Sequence, residues 1–286
     1  FYGGIAPAMD AVARLKPEHL TLPDAGGLGV GWYASAVLLS GFGGWMWPHI
    51  FAATYSAKSE NVVRRNAGIL PLYQLAGIPV IIVGLVCAAK AAEDPAFAAA
   101  IEKPDHAMLV ALVGYFPPWI AGVIGAGGLA ASVSTASALI LTASNLTARN
   151  VLQRGVAPGL SDERTARIAR LLVAPVAIIA AGLALLAPDM LVQLLLLGYS
   201  GISQLAPAIF LGIFTRIPTK AAVSAGLVVG VSIALAAQVF GWVMPWGLHA
   251  GFVGLLANLA VVLVLSPLTR RVDDERLERF DRIFSE

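Results

Sequence analysis

Long apolar runs separated by short polar loops make up most of the chain after residue 26. About 20 apolar residues suffice for a helix to cross the hydrocarbon core of a bilayer, so each run predicts a membrane-spanning helix. The apolar stretch Met108–Pro118 is shorter and ends in two prolines, which predicts an outer lid or a re-entrant helix. The seven predicted spans cover residues 27–51, 67–89, 119–147, 171–187, 190–214, 221–240 and 248–267.

The composition supports this interpretation. Apolar residues make up 58% of the 286 residues, charged residues make up 13%, and the mean hydropathy is +0.80. Soluble domains carry about 25% charged residues, so the chain is predicted to be an all-α bundle whose surface faces the lipid bilayer. This argues against an enzyme and against nucleic acid as a partner, and the lone Cys87 is expected to be a packing residue.

Basic residues are concentrated in alternate loops. If the seven spans alternate in direction, 15 of the 19 Lys and Arg residues lie on one side. The positive-inside rule then predicts a multi-pass protein of the cell membrane with a cytoplasmic C-terminus and with residues 1–26 outside. The basic segments are the loops 52–66, 148–170 and 215–220 and the tail 268–286, in which residues 273–286 predict a solvated amphipathic helix.

The predicted spans contain no Asp or Glu. An ionised side chain at the centre of a membrane is expensive, and its absence argues against a relay of protons between carboxylates. An ion that crosses the membrane here would therefore be held by neutral carbonyl and hydroxyl oxygens.

The first predicted span contains a segment, Ser40–His49, with three glycines and a proline. These residues predict an unwound helix whose freed backbone groups line a cavity, although a kinked helix with small residues for close packing is the alternative. The two tryptophans would cover a solute or lie in an interfacial aromatic belt, and His49 would be a ligand or a hydrogen-bonded structural residue. The candidates for solute binding here are Gly43, Gly44, Trp45 and Trp47.

Two further spans carry polar residues. Ala131, Ser134 and Thr135 share one helix face, because their spacing is i, i+3 and i+4. If the helix opens there, one carbonyl and two hydroxyls would suit a hard cation such as Na⁺; the alternative is that the hydroxyls bond back to the preceding turn or to a neighbouring helix. In the segment Tyr199–Pro207, Gln204 would bind a solute or tie two helices together.

These segments resemble the sodium:solute symporter family. Ala121–Val151 is similar to the family's eighth core helix, and Trp47–Ile50 resembles the Pro-His motif of its sixth core helix. The segment Arg64–Pro71 resembles the monocarboxylate-type branch, followed by the pantothenate-type branch. The resemblance implies a five-plus-five inverted repeat, in which residues 27–214 are the second repeat and residues 221–267 form two peripheral helices.

The resemblance also implies a function. In the family, a carbonyl and two hydroxyls equivalent to those of Ala131, Ser134 and Thr135 bind sodium, which drives the uptake of a small organic solute. Some members have tryptophan and tyrosine where this chain has Ser40 and Gly44, so a monocarboxylate is expected here rather than an amino acid such as proline.

The first repeat is not represented in this sequence, so we expect a fragment that does not transport by itself. Both repeats of such transporters contribute to the binding sites. The alternative functions are a symporter-like sensory input module of a membrane signalling protein, and a passive channel. The lack of a continuous polar stripe through several spans argues against the channel.

Overall fold

The computed structural model describes residues 2–21, 28–101, 103, 106–186, 191–270 and 277–278. The predicted tail helix over 273–286 lies outside these residues except for 277–278. The described residues form helices and no strands, which confirms the all-α prediction. Their α-helices are α1 (Ile5–Leu15), α2 (Gly29–Gly44), α3 (Pro48–Tyr55), α4 (Glu60–Gln74), α5 (Gly77–Glu93), α6 (Pro95–Ala100), α7 (Ala107–Tyr115), α8 (Pro118–Leu146), α9 (Asp162–Leu186), α10 (Leu191–Ile202), α11 (Ala206–Phe214), α12 (Lys220–Phe240) and α13 (Ala250–Leu265).

Six helical stretches of the described residues are long and apolar enough to cross a membrane. They correspond to six of the seven predicted spans. The remaining predicted span, 27–51, is divided into two shorter helices, because α2 ends at Gly44 and α3 starts at Pro48. This agrees with the interruption that its glycines and proline predict. The six stretches are Glu60–Glu93, Pro118–Val156, Asp162–Leu186, Leu194–Phe214, Lys220–Phe240 and Ala250–Leu268.

The described chain divides into two compact units. The first unit comprises Phe1–Leu22 and Ala53–Ala180, and the second comprises Pro23–Ala52 and Ala181–Glu286. The assignment of residues 27–214 to one repeat remains a prediction.

In the first unit, α5 packs against α1, α6 and α7. Cys87 is buried in a cluster with Phe97 and Ala111, as expected for a packing residue. Glu93 at the end of α5 accepts a hydrogen bond from the Tyr2 hydroxyl at 2.9 Å and pairs with Arg14 of α1 at 3.0 Å. The amphipathic α1 is thereby attached to the polar end of α5.

The apolar stretch before the long α8 forms a short helix. α7 has nine residues, too few to span a bilayer, and it ends where Phe116 takes an extended conformation before two prolines. This agrees with the prediction that the stretch does not cross the membrane. After α8 the chain continues as a π-helix, Thr147–Val156, which the sequence pattern did not indicate.

In the second unit, α12 and α13 are packed closely along a line of glycines. A Cβ on Gly230 would lie 2.9 Å from the carbonyl oxygen of Gly254, and a Cβ on Gly226 would lie 2.8 Å from Val262 Cγ2. Both distances are too short for unstrained contact, so glycine is needed at these positions for the helices to approach. α2 and α10 pack against α13, and they support the interrupted segment between α2 and α3.

Candidate functional site

The helix interruption lies at Trp45–Trp47, inside the segment that the sequence singled out. Met46 N donates to the Gly43 carbonyl at 2.9 Å, and the next helical bond runs from Phe51 N to the Trp47 carbonyl at 2.9 Å. Pro48 has no N–H to continue the α2 ladder, and proline is favoured at the first position of a new helix. The expected interruption is therefore present, and non-helical backbone at membrane depth is tolerated where protein or a cavity surrounds it.

An aromatic pair joins this interruption to α10. The ring of Trp47 meets the ring of Tyr199 edge to face, with centroids 5.6 Å apart and planes at 90°. A Cβ on Gly43 would lie 2.9 Å from Tyr199 Cδ1, and a Cβ on Gly198 would lie 3.1 Å from Trp47 Cη2. Each segment thus supplies a glycine that makes room for the aromatic ring of the other. Neither the pairing nor the role of Tyr199 was apparent from the sequence.

The other candidates in the interrupted segment differ in their surroundings. The Trp45 side chain is 40% exposed, and a Cβ on Gly44 would meet no atom within 4 Å. Met46 between the two tryptophans is buried in the core of the second unit. Gly43 and Trp47 therefore take part in packing with α10, whereas Gly44 and Trp45 remain open to a ligand.

His49 follows the interruption and lies beside Trp47, with ring centroids 5.9 Å apart. Its Nδ1 is buried and has no hydrogen-bond partner among the described residues. A buried nitrogen without a partner is destabilising by about 1–3 kcal/mol. The structure therefore shows no partner for Nδ1, and both the ligand and the structural interpretation of His49 remain predictions.

Gln204 is fully buried and ties helices together. Its Nε2 donates to the carbonyl of Ser200, one turn earlier, at 3.0 Å and to the carbonyl of Gly251 in α13 at 3.1 Å. Asn258 of α13 donates to the Gln204 carbonyl at 2.7 Å and to its Oε1 at 3.2 Å. The structure thus shows the helix-tying role that the sequence left open, and contact with a solute remains a prediction. Asn258 was overlooked, although an amide within an apolar run was a visible signal.

The three sodium candidates lie on α8, in the first unit, and the five solute candidates lie in the second unit. α8 is continuous through residues 131–135, so it is not opened there. Thr135 Oγ1 donates to the Ala131 carbonyl, one turn earlier, at 3.2 Å, so this hydroxyl bonds back to its own helix. Ser134 has no hydrogen-bond partner among the described residues, and all three residues are exposed. Because α8 is helical here, Ala131, Ser134 and Thr135 share one helix face, and of their three candidate oxygens only that of Ser134 takes part in no side-chain hydrogen bond.

Comparisons with known proteins agree on the family. The model of the sodium:solute symporter family matches residues 6–230. The "Uncharacterized symporter YhjB" of Bacillus subtilis is 34% identical, over an alignment that covers 95% of this chain and 56% of that protein. A "Sodium/proline symporter" of Salmonella typhimurium is 23% identical, over 98% of this chain and 56% of that protein. A "Monocarboxylate transport permease protein" of Rhizobium johnstonii is 25% identical, over 93% of this chain and 55% of that protein.

The chain spans about half the length of these relatives. No solved structure matches it. The family model nevertheless covers most of the chain, from α1 into α12. With six helical stretches able to cross a membrane and an interrupted helix at the Pro-His segment, the chain is a multi-pass membrane protein that belongs to the sodium:solute symporter family.

Proposed function

We propose that the protein carrying this chain uses the sodium gradient to take up a small organic solute, and that the solute is a monocarboxylate. The observation that supports a solute site is the interruption at Trp45–Trp47. In secondary transporters, interrupted helices present unpaired backbone groups to substrate and ions near the middle of the membrane. The choice of a monocarboxylate is supported by its relative, the monocarboxylate transport permease protein of Rhizobium johnstonii, and by Ser40 and Gly44.

The interrupted segment suits a small solute with an apolar body. Trp45 is half exposed beside Gly44, and the buried Nδ1 of His49 needs a polar partner. The start of α3 also carries the partial positive charge of a helix N-terminus, which favours a carboxylate. Tryptophan would therefore cover the apolar part of the solute while backbone and imidazole groups meet its polar end.

For sodium, we propose the Ala131 carbonyl and the hydroxyls of Ser134 and Thr135. Thr135 now donates its proton to the Ala131 carbonyl, and a rotation of its hydroxyl would break this bond and leave a lone pair on each oxygen available to a cation. Ser134 has no such bond to break. A sodium ion that enters down a potential of 100 mV supplies about 2.3 kcal/mol, which is enough to concentrate a solute roughly 50-fold.

The experiment is uptake of labelled short monocarboxylates into vesicles that contain the complete protein, with and without a sodium gradient. Removing both hydroxyls, in Ser134→Ala with Thr135→Ala, is expected to raise the sodium concentration for half-maximal uptake by about tenfold or more, because each lost bond to a charged group is worth about 1.5–3 kcal/mol. Ser132→Ala is the matched control, since the Ser132 hydroxyl lies on the same helix and bonds back to the Gly128 carbonyl at 2.9 Å. Uptake that needs no sodium, or a double variant equal to wild type, would contradict the proposed ion site.

We also propose a cytoplasmic C-terminus and a location in the cell membrane. The support is the concentration of Lys and Arg in the loops on one side of the spans. A reporter that is active only outside the cytoplasm, fused after Arg270, should stay inactive, whereas the same reporter fused after Gly241 should be active. The reverse pattern would contradict the proposed orientation.

A further inference from the structure

The second unit contains a cavity of about 420 Å³ where the chain turns from α12 into α13. The walls come from α2, α10 and α12 and from the connecting loop, and none of the lining residues is charged. This volume is within the range of roughly 300–1,000 Å³ that is usual for small-molecule sites. The lining residues include Trp32, Ser200, Gln238, Trp242, His249 and Ala250. The cavity is formed by different residues from the interrupted segment at Trp45–Trp47.

His249 is a buried polar side chain in the wall of this cavity. Only 9% of its surface is exposed. Its backbone N donates to Ser35 Oγ at 2.8 Å, and its Nδ1 accepts the N–H of Gly251 at 3.1 Å and so caps α13. Because Nδ1 is an acceptor, the ring proton resides on Nε2. Nε2 has no partner among the described residues and is not enclosed by protein.

The imidazole is held in a fixed position. The Trp32 ring lies beside it with centroids 5.4 Å apart and planes at 57°, and the Gly251 N–H fixes its tautomer. Burial lowers the pKa of His249, so the ring is neutral at pH 7 and offers one N–H donor. His249 lines the cavity, and the described residues leave this single donor unsatisfied.

Two further features indicate what would bind there. Ala250 is the first residue of the 16-residue α13 and lines the cavity, so the positive end of this helix dipole lies at the cavity wall. Trp32 and Trp242 supply an apolar wall, and Gln238 is exposed at the rim. A donor, a helix N-terminus and indole rings together suit an anion with an apolar body. A neutral ligand would use the donor and the indoles but not the helix dipole.

We propose that this cavity binds the carboxylate of a small organic anion, separately from the interrupted helix. The carboxylate accepts the Nε2–H of His249 at the N-terminal end of α13, and the apolar part of the anion packs against Trp32 and Trp242. In the proposed orientation the α12–α13 loop is outside the cell, so the cavity would take its ligand from the external medium. Binding there needs no sodium, because the cavity shares no residue with the α8 face.

The test uses the complete protein in lipid nanodiscs without sodium. Isothermal titration with benzoate is compared with its neutral analogue benzamide, and benzoate is expected to bind at least tenfold more tightly. In His249→Asn, the Asn oxygen can still accept the Gly251 N–H while the Nε2 donor is lost. This variant should weaken benzoate about tenfold or more, since the lost hydrogen bond is to a charged group, and should weaken benzamide less, since its hydrogen bond is to a neutral carbonyl. His19→Asn makes the same change at an exposed histidine and should have no effect.

Several results would overturn the proposal: no binding of benzoate, equal binding of benzoate and benzamide, or unchanged affinity in His249→Asn. The double variant Ser134→Ala with Thr135→Ala separates this proposal from the transport proposal. If sodium-free benzoate binding survives in that variant, the cavity stands whether or not the sodium site does. If binding is lost there but survives in His249→Asn, benzoate occupies the transport site and the cavity proposal is wrong.

Discussion

Replacing Gln204 with leucine distinguishes a residue that ties helices from one that binds solute. Leucine has a similar volume but no polar atoms. The variant leaves the carbonyl of Gly251 without the Nε2 donor and leaves Asn258 with only one of its two acceptors. The two lost contacts with α13 are interhelical, and such hydrogen bonds in membrane proteins average about 0.6 kcal/mol with a maximum near 1.7. We therefore expect Gln204→Leu to lower the free energy of unfolding by about 1–3 kcal/mol.

The assay is equilibrium unfolding of the complete protein in mixed micelles, with solute uptake measured on the same preparations. Gln74→Leu is the matched control, since Gln74 is exposed at the end of α4 and should change the unfolding free energy by less than about 0.5 kcal/mol. A double-mutant cycle of Gln204→Leu with Asn258→Ala should give a coupling energy of about 0.6–1.7 kcal/mol. If Gln204→Leu unfolds like wild type and instead raises the KM for solute, the helix-tying argument is wrong and Gln204 contacts the solute.

Two further predictions follow from the second unit. Gly43→Ala should reduce the uptake rate severalfold or more, because its Cβ would lie 2.9 Å from Tyr199 Cδ1. Gly44→Ala should fold normally, because its Cβ would meet no atom within 4 Å. Equal packing defects in both variants, measured by thermal unfolding, would contradict the paired arrangement of Trp47 and Tyr199. Thermal stability should fall on acidification below about pH 6.5, because burial lowers the pKa of His249 in the folded protein. Below this pH the histidine is protonated in the unfolded chain but still neutral in the folded chain, so protons favour unfolding. The free energy of unfolding should change by at most about 1.4 kcal/mol per pH unit. The stability is fully present above the unfolded pKa, and the pH dependence should be absent from His249→Asn; an unchanged profile in that variant would exclude His249 as its cause.

Much of the architecture was predictable because it depends on local chemistry. The apolar runs predicted six helical stretches correctly, since a bilayer requires about 20 apolar residues and internal backbone hydrogen bonds from any segment that crosses it. The interruption after Gly44 was also predictable, because Pro48 lacks an N–H wherever it is placed. This interruption divides the predicted span 27–51 into the shorter helices α2 and α3.

The roles of individual side chains depended on partners that are distant in sequence. Sequence spacing placed Ser134 and Thr135 on one face of α8, yet whether a hydroxyl bonds to its own helix or to an ion depends on what lies opposite it. Gln204 was ambiguous until α13 placed Gly251 and Asn258, 47 and 54 residues away, beside its amide.

The cavity at His249 was likewise invisible in the sequence. His249 acquires its burial and its tautomer from Trp32 and Gly251, and the ring contact joins residues more than 200 positions apart. Hydropathy and backbone geometry are properties of short segments, so the sequence by itself determined which segments form helices and where one of them is interrupted. Burial, hydrogen-bond pairing and cavities are properties of the packed helices, and for that reason only the tertiary structure decided which polar side chains hold the helices together and which remain available to a ligand.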